Sequence, residues 1–72
     1  MIYNDEKKMR NSYGPLLEHL WSIHRQELIA ALRRPLPRLE IAQILLPHLA
    51  SLHPAYDWLT QRLYERASAE SP

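Results

Sequence analysis

A single glycine among 72 residues leaves this chain almost no means of building the tight hairpins that hold an antiparallel sheet together. The rest of the composition points the same way. Thirteen leucines and seven alanines favour helix, whereas valine and phenylalanine are absent and threonine occurs once. The expected class is all-α, and six prolines then decide where its helices start, bend and stop.

Pro15, after Tyr13 and Gly14, suits a first helical turn, with Ser12 available as its cap. A helix is expected over about 15–33, where Arg33 and Arg34 meet the negative end of the helix dipole. Pro35 pushes Arg34 out of helical geometry, and Pro37 opens a second helix, expected over 37–52. Pro47 either kinks that helix or splits it in two, so the bundle has three helices or four short ones; a single kinked helix is the expectation. The last helix is expected over 54–68, with Asp57 near its N-terminus. Residues 1–12 have mixed charge and little apolar periodicity, which predicts a flexible arm, and 69–72 read as a disordered tail. One helical domain, 13–68, remains.

A chain of this size buries only about 60% of its unfolded surface, so its core alone leaves stability marginal. Small proteins compensate with disulfides, a metal or a partner. The absence of cysteine removes disulfides and thiolate zinc sites and fits a reducing, cytoplasmic setting. Met1-Ile2-Tyr3 runs straight into Asn4-Asp5-Glu6-Lys7-Lys8, so no secretory leader is expected. No apolar run approaches the ~20 residues that span a bilayer, so no membrane is expected either. Partner burial is the compensation left.

The helical faces carry the same message. At about 100° per residue, Leu16, Leu20, Trp21, Ile23, Leu28 and Leu32 fall in one broad arc of the first helix. Leu39, Ile41, Leu45, Leu46, Leu49 and Leu52 cover more than half of the second. The third has a narrower stripe of Tyr56, Leu59, Leu63 and Ala67, with Trp58 well off it. The first two helices therefore carry more apolar surface than a three-helix monomer needs, and such a surplus marks interaction sites. Leu20, Ile23, Leu28, Leu45, Leu46, Leu49 and Trp58 are the candidate partner-binding residues. Trp58 is expected either under the N-terminal arm or in an interface.

Residues for chemistry are scarce. His19 and His24 are five apart, as are His48 and His53, and that spacing splays two imidazoles on one helix roughly 140° apart. No metal site is expected on that basis. His24, inside the first helix's apolar arc, reads as a core or interface residue bonding one nitrogen to a partner. Ser22, His24 and Glu27 are local but lie on different helical faces, and no Gly-rich oxyanion or phosphate loop is present. No catalytic residue, metal or cofactor is assigned, and enzymatic activity is not expected.

The expected function is a small protein-interaction module, an adaptor, small chaperone subunit or regulatory inhibitor, binding itself or another protein. A homodimer is the expected assembly. The rival is a dimeric helix-turn-helix DNA-binding regulator, suggested by Ala42 among apolar neighbours and by Gln61, Arg62, Tyr64 and Arg66 on the last helix. Three features oppose it. Leu46-Pro47-His48-Leu49 replaces the usual short turn, Asp57 and Glu65 offset the arginines, and the net charge is only +1. Arg33, Arg34 and Arg38 form a basic corner that reads as a solvated helix end, with an anion or nucleic-acid patch the weaker alternative.

Overall fold

The computed structural model describes the backbone of residues 2–70 and the side chains of residues 6–70. All regular structure among them is helical: α1 (Ile2–Ala31), α2 (Pro37–Leu45), a 3₁₀ turn (Leu46–His48), α3 (Leu49–Leu52) and α4 (Tyr56–Glu70). The small all-α bundle read from composition is the fold.

Of the flexible arm expected at 1–12, residues 2–12 are instead the first third of α1, which continues through Gly14 and Pro15 without a break, and Met1 lies outside the described residues. Tertiary contact overrides weak local propensity here. Glu6 pairs with Arg10 one turn along at 2.9 Å, and it also reaches Trp58 and Arg62 on α4. Met9 and Tyr13 pack against the core. The stripe Met9, Tyr13, Leu16, Leu20 has the spacing of one continuous helical face and runs straight across the supposed start signal.

α1 ends at Ala31, two residues before the expected boundary. Arg33 and Arg34 lie in a turn, where their backbone N–H groups bond three residues back to Ala30 and Ala31. Pro37 occupies the first turn of α2, as expected. Pro47 splits the segment rather than kinking a single helix. With no N–H to give, it sits in a tightened turn in which Leu46 donates to the Gln43 carbonyl and Leu49 to that of Leu46. α3 ends at an extended His53, and a turn through Pro54 delays the start of α4 to Tyr56. Ala69 and Glu70 of the expected tail are helical; Ser71 and Pro72 lie outside the described residues.

α4 is the central packing element, laid against both α1 and α2. Its buried stripe of Leu59, Leu63 and Ala67 meets Leu20 and Leu28 of α1 and Ile41 and Leu45 of α2 in a single core. Thr60 is buried too, and its hydroxyl donates to the Tyr56 carbonyl at 2.9 Å. The Tyr56 hydroxyl donates to the Ala42 carbonyl, tying α4 to α2. The radius of gyration, 11.9 Å, is close to the ~11 Å of a well-packed chain this long.

Candidate interaction surface

The seven candidate partner-binding residues fall into three groups. Leu20, Leu28 and Leu45 are in the core, each 2% exposed or less, so they hold the bundle together and present nothing to a partner. Their assignment to an interface is corrected: α4 takes the apolar face on which they lie. Ile23, Leu46 and Leu49 are on the outside, at 52, 54 and 39% exposed. Trp58 is half-buried and engaged internally. Two exposed leucines missed by the candidate set join the second group, Leu36 at 62% and Leu39 at 52%.

The apolar surplus is therefore placed unevenly. Among the described residues α1 contributes Ile23 alone, while Leu36, Leu39, Leu46 and Leu49 all belong to the stretch from the proline corner through α3. This stretch has two apolar faces. Ile41, Leu45 and Leu52 recur at i, i+4 and i+11 and point into the core. Leu39 and Leu46, seven residues apart, share the opposite side. Where the corner meets α4, Leu36, Pro37, Arg38, Leu39 and Tyr64 line an open groove of about 300 Å³. Pro47 contributes by turning the chain so that Leu46 and Leu49 stay outside while Leu52 returns to the core.

The polar side of α4 is tied to α1. The Trp58 indole N–H donates to Glu6 at 3.0 Å, so the residue is covered by the N-terminal segment, one of its two expected settings. Hydrogen bonding from Trp58, with help from the Arg62 and Arg10 charges, holds the Glu6 carboxyl below its ordinary value. Arg62 also pairs with Glu65 at 2.9 Å and lies over the Trp58 ring. Arg66 pairs with Glu18 at 2.7 Å and lies over Trp21. Both arginines of the would-be recognition helix thus spend their charge inside the molecule. At the basic corner Arg34 approaches Glu40 at 3.8 Å, and Arg33 and Arg38 are exposed.

The histidines form an arrangement that spacing along the chain does not reveal. His24 Nδ1 is 2.8 Å from Glu27 Oε1, and its Nε2 is 3.2 Å from Nε2 of His48. The two rings meet edge to face with centroids 5.4 Å apart. The ring nitrogens of His24 are directed at Glu27 and His48. Helix pairing joins residues 24 positions apart in sequence; the only advance sign was a histidine set in an apolar arc. Among the described residues no group of three or more His, Cys, Asp or Glu gathers as a metal cage. Among them, too, no helix is both long and apolar enough to cross a membrane: α1 has the length but is polar along one side. Comparison of the chain with models of protein families, with curated proteins and with solved structures gave no match.

Proposed function

We propose that the chain is a small protein-interaction module whose docking face is the segment Leu36–Leu49, binding a second copy of itself or another protein in the cytoplasm. One observation carries this reading. Four large leucines stand 39–62% exposed on a segment whose opposite side is already committed to the core. Isolated exposed leucines are ordinary. Four on one short segment, beside a groove ringed by Leu36, Leu39 and Tyr64, are a patch suited to an amphipathic helix of a partner. The role is one of binding, adaptor or inhibitor, and not of catalysis.

Sedimentation of the wild-type chain and of a Leu39→Glu/Leu46→Glu variant tests it. The substitutions lie on the surface, so folding free energy should change by less than about 1 kcal/mol. Association should weaken at least tenfold, because each leucine that an interface covers contributes about 1.5–3 kcal/mol. A wild-type chain that stays monomeric at high concentration and a variant that still recovers the same partners would together defeat the proposal. The DNA-binding rival is tested by binding to random duplex at two salt concentrations. A helix whose Arg62 and Arg66 are paired internally should show weak binding and a shallow salt slope.

A further inference from the structure

We propose that His24 and His48 form a binding site for a divalent transition-metal ion of the Zn²⁺ class, with Glu27 positioning His24. Zinc binds imidazole nitrogen at about 2.0–2.1 Å, so two ligands at a tetrahedral angle stand about 3.3 Å apart. The two Nε2 atoms are 3.2 Å apart, already at that bite distance. In the metal-free chain the same spacing serves a hydrogen bond from one imidazole to the other, and the ion takes the place of the shared proton.

Glu27 supplies the second element. Metal-bound histidines characteristically donate their other ring N–H to a carboxylate, which fixes tautomer and ring orientation. The Glu27 carboxylate, 2.8 Å from Nδ1, holds the proton there and leaves the His24 Nε2 lone pair facing His48. His48 then offers its own Nε2 by carrying its proton on Nδ1, so two neutral imidazoles bind the ion with no net proton change. His19 and His53 are exposed and stand apart from this pair, with no side-chain hydrogen bond among the described residues. His24 and Glu27 line an open depression on α1, with the Glu27 side chain 62% exposed and that of His24 17%. With two protein ligands, the remaining positions go to water, and imidazole donors select Zn²⁺, Cu²⁺ or Ni²⁺ over Mg²⁺ or Ca²⁺.

The test uses the full 72-residue chain without an affinity tag. Zn²⁺ is titrated against a chromophoric chelator, while NMR follows the imidazole resonances of all four histidines. One equivalent of Zn²⁺ should shift the His24 and His48 rings, leave those of His19 and His53 in place, and raise the melting temperature. Mg²⁺ should do neither. His48→Ala should weaken binding at least tenfold, Glu27→Gln about tenfold through loss of positioning, and His19→Ala/His53→Ala not at all. Circular dichroism checks that each variant is folded; should His48→Ala unfold, the ring shifts in the wild-type chain decide alone. Unmoved His24 and His48 resonances at saturating Zn²⁺, or equal affinity in folded His48→Ala, would overturn the proposal.

Discussion

At the scale of single residues, the bond between Trp58 and Glu6 has a pH signature whose sign follows from its cause. The fold holds the Glu6 carboxyl below its ordinary 4.5, first through the Trp58 N–H and then through Arg62 and Arg10. The folded state therefore prefers the carboxylate more strongly than the unfolded chain does. Its contribution is present above pH 4.5 and is lost as pH falls through the lowered folded value. In thermal melts from pH 6 to pH 3, wild type should lose more stability than Glu6→Gln, and the difference should close at the acid end. Parallel curves would mean the contact carries no linkage. Trp58→Phe deletes the donor but also shrinks the indole to a phenyl ring, so the pH-dependent part of its effect, and not the total, reports the bond to Glu6. Burial separates the leucines more sharply. Leu20→Ala should cost about 2–5 kcal/mol in urea denaturation, whereas Leu49→Ala should cost no more than about 1 kcal/mol. Sequence periodicity put both in one candidate set. It reports that a position is apolar; which of two apolar faces enters the core depends on where α4 docks.

At the scale of elements, the fold was legible wherever a proline coincided with a change in periodicity, and illegible where it did not. Pro37 opens α2 as its position implies, and Pro47 breaks the segment at the place it marks. Pro15 gives the opposite lesson, because α1 passes straight through it. Gly14 supplies the physical reason. A proline ring crowds the Cβ of the preceding residue and disfavours its helical conformation, and glycine has no Cβ to crowd. The pair acts as a unit, which makes a double-mutant cycle informative. Pro15→Ala restores an N–H for the Asn11 carbonyl and removes the ring clash, and should stabilise the chain by about 1–3 kcal/mol. Gly14→Ala in that background should add about 1 kcal/mol more, since beyond its chain neighbours and the backbone of its own helix a Cβ at 14 meets nothing within 4 Å. In the wild-type background the same change should gain nothing or destabilise. Denaturation of all four chains checks this, and strictly additive effects would show that Gly14 and Pro15 are independent.

At the scale of the whole molecule, the question is whether the outward leucines are tolerated exposure or an unfinished core. A 72-residue chain without disulfides has little margin, and its inner stripe of Ile41, Leu45 and Leu52 is already fully used. Covering Leu36, Leu39, Leu46 and Leu49 is a remaining source of apolar burial among the described residues, and a second copy is the partner always present in a purified sample. Were the face self-complementary, folding and association would be linked, so the melting temperature would depend on protein concentration. For a dimer that dissociates on unfolding, a tenfold rise in concentration favours the assembled state by about 1.4 kcal/mol, shared between two chains. A domain of this size shifts by about 4–8 °C for each kcal/mol, so the melting point should rise by roughly 3–6 °C per decade of concentration. Leu39→Glu/Leu46→Glu should abolish that slope while keeping the helical spectrum, and should melt where dilute wild type melts. A wild-type melting point independent of concentration would leave the face to a different protein, and the monomer's core would then have to account for all of the stability.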